Sequence, residues 1–147
     1  MSGRIYIIDT NVVVAGLITA EPESPTCRVL DAMLDGSLLY LLSEDLLREY
    51  RNVLLRPRIF RRLGLSEHQI DQFLSEIAAN AVWREAPSDK NHTAPDPRDT
   101  HLWALLASEP AAILITGDRL LIENPMPQRS IISPAALSFG LRPRSGL

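Results

Sequence analysis

Two aspartates in this chain close the same short phrase. Asp9 follows Ile5-Tyr6-Ile7-Ile8, and Asp118 follows Leu114-Ile115-Thr116-Gly117. Apolar, β-branched runs of this length read as strands buried on both faces. In one parallel sheet their carboxyl ends share an edge, where open α/β sheets place their ligands, so the two carboxylates can converge. Asp96 and Asp99 precede the most apolar helical stretch, residues 102–107, whose amino end faces that edge too. Glu49 is the fifth acid. It belongs to a helix predicted over 44–55 with the stripe Leu46, Leu47, Tyr50, Val53 and Leu54. At about 100° per residue, Glu49 falls just off the stripe beside Val53, while Asp45 lies further round and Glu44 on the opposite flank. Each acid also has a plainer reading. Asp9 and Asp96 are residue types that cap helices, helix amino ends favour negative charge generally, and Glu49 could simply snorkel to the surface.

Four or five carboxylates on one edge repel one another severely unless a cation joins them. Hard oxygen donors in that number suit Mg²⁺ or Mn²⁺. Zinc is disfavoured, because His68, His92 and His101 show no ligand spacing and Cys27 has no second cysteine. The seven glycines form no phosphate-cradling loop. No serine sits in a nucleophile elbow, and Cys27 has no histidine near it in sequence.

The elements that must position these acids alternate between strand and helix. After the first strand, residues 12–18 read as a helix, and Ser24-Pro25 opens a second one ending near Gly36. Residues 38–42 form a short apolar strand. Ser43 caps the helix that carries Glu49, and Pro57 is expected to end it. Residues 58–63 are ambiguous, and Gly64 breaks them. Ser66 opens a helix bearing Ile70, Phe73, Leu74 and Ile77, and residues 81–83 are a brief strand or link. Residues 84–97 are polar, with three prolines, and read as the longest loop. A strand over 111–115, a short helix at 120–122, a strand over 129–132 and a helix after Ser133-Pro134 complete the chain. The alternation predicts α/β architecture, with a largely parallel sheet and helices on both sides.

The 147 residues fit one domain of ordinary size, with 46% hydrophobic and 22% charged residues as in a soluble globular chain. No apolar run approaches the roughly 20 residues of a membrane span, and the amino terminus lacks a signal-peptide pattern. The single cysteine suits a reducing compartment, so a cytoplasmic location is expected. The net charge of −3 does not advertise a nucleic-acid binder, but its distribution is uneven. Six arginines fall between positions 48 and 62. Of these, Arg48, Arg51, Arg56 and Arg58 are candidates for phosphate contact, with a solvated helix face as the alternative.

Taken in order, Ile7-Ile8-Asp9-Thr10-Asn11-Val12, then Glu49-Tyr50 within residues 43–56, Asp96-Pro97-Arg98-Asp99, and Ile115-Thr116-Gly117-Asp118 resemble the PIN-domain ribonucleases. The resemblance spans essentially the whole chain. It is nearest to the toxins of toxin–antitoxin pairs related to VapC-type toxins, which Leu120-Leu121 and Ile131-Ile132-Ser133-Pro134 also resemble. It implies a three-layer α/β/α sandwich and a Mg²⁺- or Mn²⁺-dependent endoribonuclease. Asp9, Glu49, Asp99 and Asp118 match the family's four acids, and Asp96 matches an extra acid found in this branch. Thr10 and Thr116 fall where members use a hydroxyl to orient ligands, and Asn11 commonly follows the first aspartate. The partners implied are RNA, an antitoxin protein and a second copy of the chain. Two rival readings are a non-catalytic interaction module of the same fold and a Mg²⁺-dependent phosphatase. The phosphatase usually has a second acid two residues after the first, where this chain has Asn11.

Overall fold

In the computed structural model, which describes residues 4–85, 94 and 96–138, the opening strand β1 (Ile5–Ile8) leads through Asp9 into helix α1 (Thr10–Ile18). Helix α2 (Pro25–Asp35) follows, capped by the Ser24 hydroxyl at Cys27 N. Strand β2 (Leu41–Leu42) comes next, then α3 (Glu44–Leu54), α4 (Pro57–Leu63), α5 (Glu67–Asn80) and β3 (Val82–Trp83). A single 3₁₀ turn (Pro97–Asp99) precedes α6 (Thr100–Ser108), and the chain continues with β4 (Ala112–Ile115), α7 (Arg119–Glu123), β5 (Ser130–Ile132) and α8 (Pro134–Ser138).

Among the described residues every strand pairing is parallel: β1 with β4, β4 with β5, and β2 with β3. The two groups are joined on the free side of β1 by a bridge between Tyr6 and Tyr40, with Tyr6 N donating to Leu39 O at 3.0 Å. The spatial order is therefore β3-β2-β1-β4-β5. The chain steps outward from β1 to β3, then returns to lay β4 on the other side of β1. Right-handed crossovers on opposite sides of such a reversal place helices on opposite faces, which gives an α/β sandwich. The reversal between β1 and β4 is the switch point at which open sheets form a ligand crevice. Asp9 and Thr116 stand at the carboxyl ends of those two strands.

Pro57 differs from its expected role. α3 stops at Leu54, and Pro57 occupies the first turn of α4, where a missing N–H costs nothing. The ambiguous residues 58–63 are thus helical, and Gly64 ends the helix with φ +67. Between α1 and α2 the backbones approach closely. A Cβ on Gly16 would lie 2.9 Å from Thr26 O and 3.2 Å from Leu30 Cδ2, so only glycine fits there.

The core is built from Ile7, Ile8, Met33, Leu41, Leu42, Leu46, Tyr50, Leu54 and Leu102, each fully buried. Burying one such side chain stabilises the fold by about 1.5–3 kcal/mol. Two buried tyrosines satisfy their hydroxyls on backbone carbonyls, Tyr40 at Ile77 O and Tyr50 at Ile8 O. The second bond matters for the site. It pins α3 to the last carbonyl of β1, so the neighbouring Glu49 stands beside Asp9. Among the described residues no helix is long and apolar enough to cross a membrane.

Candidate active site

Above the switch point lies a cleft of about 740 Å³ lined by Asp9, Glu49, Asp96, Asp99 and Asp118, together with Thr10, Asn11, Arg56, Arg62 and Arg98. All five acids singled out from the sequence therefore border one cavity. Val14, Ala15, Ile18, Val53 and Ile59 form its apolar wall.

Asp9 serves both readings of its position. Its Oδ1 accepts from Thr10 N at 2.7 Å, the capping bond of α1, while Oδ2 accepts from the Thr116 hydroxyl at 2.8 Å and from Asn11 Nδ2 at 3.3 Å. Burial pushes its carboxyl above the ordinary 3.8, against the pull of the bonds from Thr116 and Thr10. Thr116, itself fully buried, accepts from Asp118 N at 3.0 Å. Asn11 Oδ1 accepts from Gly117 N at 2.9 Å. The supporting residues Asn11 and Thr116 thus tie the ends of β1 and β4 together.

Asp118 caps α7 by accepting from Leu120 N at 2.9 Å. Asp96 caps the 3₁₀ turn at Arg98 N, also at 2.9 Å, and pairs with the Arg98 guanidinium at 2.9 Å. That guanidinium holds the Asp96 carboxyl below its ordinary value. Asp99 is different. It precedes α6 but makes no side-chain capping bond. Burial, with the fields of Asp9, Asp96, Glu49 and Asp118, pushes it from 3.8 up to about 6. Capping of α6 therefore does not account for the Asp99 side chain.

Glu49 is gripped from two sides. One oxygen accepts from the Thr10 hydroxyl, and the other lies 3.0 Å from His101 Nε2. Burial raises its carboxyl, but the bonds to His101 and Thr10 outweigh that and hold it below the ordinary 4.5. His101 is a partner that sequence reasoning missed. It lies 52 residues from Glu49, and helical spacing within one element cannot reveal a contact between two.

The arginines divide. Arg56 lines the acid cleft, as does Arg62, and Arg98 joins them there. Arg48 borders an adjoining groove of about 430 Å³ that also includes Arg56 and Arg98, and it pairs with Asp45 at 3.0 Å. Arg51 faces α5 instead, bonded to Asp71 at 2.9 Å and Glu67 at 2.8 Å. Arg58 is exposed on α4 and is not among the residues bordering the acid cleft.

A search of protein-family models matches the PIN domain over residues 6–120. The chain belongs to the PIN-domain family. PIN domains are generally nucleases that act on nucleic acids and use divalent metal ions. No curated protein matches the chain. The donor chemistry of this PIN cleft fits a hard divalent cation, because five carboxylates border it and Asp99 is raised by burial and then by the charges of the other four. The side chains are not drawn together around a point: among the described residues, no three acid, histidine or cysteine groups form a set that could hold a metal as placed. Most of these carboxylates already hold protein partners: Glu49 has His101 and Thr10, Asp96 has Arg98, Asp9 has Thr10, Thr116 and Asn11, and Asp118 has Leu120 N.

Proposed function

We propose that this PIN domain is a metal-dependent endoribonuclease that cleaves single-stranded or looped RNA by water attack on the phosphodiester. The observation that carries the reading is the convergence of five acids and Arg56, Arg62 and Arg98 on one open cleft at the switch point of the sheet. Asp9, Asp99 and Asp118 would hold Mg²⁺ or Mn²⁺, with Glu49 contributing directly or through water, and Asp96 as an additional acid. The ion supplies charge neutralisation at the scissile phosphate and lowers the pKa of water there.

The chain's own residues do the rest. Arg56 and Arg62 neutralise the flanking phosphates, which an all-acid cleft would repel. Glu49, held by Thr10 and His101, orients the attacking water. Thr116 and Asn11 keep Asp9 and Asp118 in register across β1 and β4. Water adds to phosphorus and the P–O3′ bond breaks, leaving a 5′-phosphate and a 3′-hydroxyl. No protein nucleophile takes part.

The toxin reading extends this proposal, supported by Leu120-Leu121 and Ile131-Ile132-Ser133-Pro134 in the sequence. An antitoxin protein and a homodimer are the partners that go with it, and the cytoplasm is the compartment. The test joins both levels. Purified protein should cut mixed single-stranded RNAs with Mg²⁺ or Mn²⁺ and stop on chelation, and its expression should arrest growth unless Asp9 is asparagine. Cleavage that persists after rigorous removal of divalent metal rules out the mechanism. Cleavage without growth arrest rules out the toxin role alone.

A further inference from the structure

We propose that His101 is a positioning residue for Glu49, locking the helix that follows Asp99 to the helix that carries Glu49. The inference rests on the nuclease reading above. Glu49 projects from α3 and His101 from α6, two positions beyond Asp99, and Nε2 meets Oε1 at 3.0 Å. The remaining Glu49 oxygen is taken by Thr10 of α1. Three helices thus each place one side chain in a chain of bonds beside the cleft, with His101 on the adjoining groove.

The direction of the His101 bond follows from its other nitrogen. Nδ1 is buried without a hydrogen-bond partner, so Nε2 makes the ring's one observed hydrogen bond. In either charge state the proton between the two residues then belongs on Nε2, donated to a carboxylate. The ring itself lies largely inside, with 18% of its side chain exposed, against 27% for Glu49. A glutamate on a helix flank otherwise samples several rotamers; with both oxygens bonded, Glu49 is fixed before substrate arrives. A merely space-filling histidine would need no such bond, and a leucine would replace it.

The test compares wild type with His101→Leu and His101→Gln, the amide of the latter standing in for Nε2–H. Mn²⁺ binding is titrated without RNA by electron paramagnetic resonance, and turnover is measured on a single-stranded RNA oligomer. His101→Leu should weaken Mn²⁺ binding about tenfold or more and lower kcat with KM little changed, as loss of a ligand's supporting partner does. His101→Gln should recover most of both. Should the leucine variant not fold, His101→Asn, too short to reach Glu49, takes its place with the same expectation. Wild-type Mn²⁺ affinity and kcat in the leucine or asparagine variant overturn the inference. So does a glutamine variant as defective as leucine when both melt like wild type. If wild type itself neither binds Mn²⁺ nor cleaves, the nuclease reading has failed and His101 falls with it. If wild type does both and the variants match it, only the positioning role falls.

Discussion

The Thr116 hydroxyl donates to Asp9 Oδ2 across 2.8 Å, linking residues 107 positions apart at the ends of the two central strands. Thr116 Oγ1 in turn accepts from Asp118 N and Asn11 Nδ2. Thr116→Val keeps the shape and removes all three bonds, leaving a buried carboxylate oxygen and a backbone N–H short of partners. It should destabilise the fold by about 1–3 kcal/mol, read from urea unfolding, whereas Thr116→Ser should lose less than about 1. An unchanged midpoint in the valine variant would show that water satisfies these groups.

Asp9→Asn and Asp118→Asn should each reduce RNA cleavage at least about a hundredfold while melting within a few degrees of wild type. Asparagine retains an oxygen for the capping bonds of Asp9 and Asp118, but at Asp9 its amide replaces the oxygen that accepts from Thr116 and Asn11, so the shift in melting should be larger there than at Asp118. Glu44→Gln, on the flank of α3 away from the acid cleft, is the control and should remain active. If all three variants lose activity equally, the loss cannot be assigned to the cleft.

Arg56 and Arg62 line the acid cleft, and Arg58, between them in sequence, does not. Replacing both cleft arginines with alanine, in an Asp9→Asn background that cannot cut, should weaken RNA binding and flatten its salt dependence by about one unit per lost contact. Arg58→Ala should leave affinity and slope alone. Arg51→Ala should touch only stability, through its pairs with Asp71 and Glu67. Equal slopes for the double variant and Arg58→Ala would place the phosphate path elsewhere.

Without divalent metal, stability should fall as pH rises from about 4 to 7. Asp99 is raised from 3.8 to about 6 and Asp9 is raised too, so the folded form binds more protons than the unfolded chain and loses that advantage on ionisation. His101 is also raised: burial lowers it, but the bond and charge of Glu49 prevail, so its contribution is present at low pH and lost as the ring deprotonates. Glu49, held low, acts in the opposite sense only below its ordinary 4.5. Asp99→Asn should recover about 1 kcal/mol at pH 7 once its partial exposure is allowed for, and Mn²⁺ should raise the wild-type melting temperature more than the variant's. Melting in chelator at pH 5 and pH 7 checks the sign, and a higher value at pH 7 contradicts it.

Much of this was legible in the residues because it is local. The strand ends before Asp9 and Asp118, the cap at Ser43 and the helix start at Ser66 are each written within a few positions. Pro57 was not, since proline closes one helix and opens another with equal ease, and the short α4 carries too few turns to show a period. The flank position of Glu49 followed from α3's own stripe, but the partners that hold it did not. His101 and Thr10 arrive from other helices, and only the tertiary fold brings them within reach. Arg51 shows the same limit, because its ties to Asp71 and Glu67 depend on where α5 lies.

The join between the two strand groups also divides the site. Asp9 and Asp118 ride on the β1-β4-β5 side, while Glu49 follows β2 on the other, and between these groups β1 meets the β2 side through the Tyr6–Tyr40 bridge. Bonds from Tyr50 to Ile8 and from Thr10 to Glu49 reinforce that seam. If the sheet opens first at this narrow junction, the Tyr6 amide, which bonds Leu39 O across it, should exchange faster than the amides paired between β1 and β4. Equal protection would show that the seam opens only with the whole. Such an opening would part Glu49 from Asp9 before the rest of the core is lost. Catalytic competence would then melt at a lower temperature than the protein does.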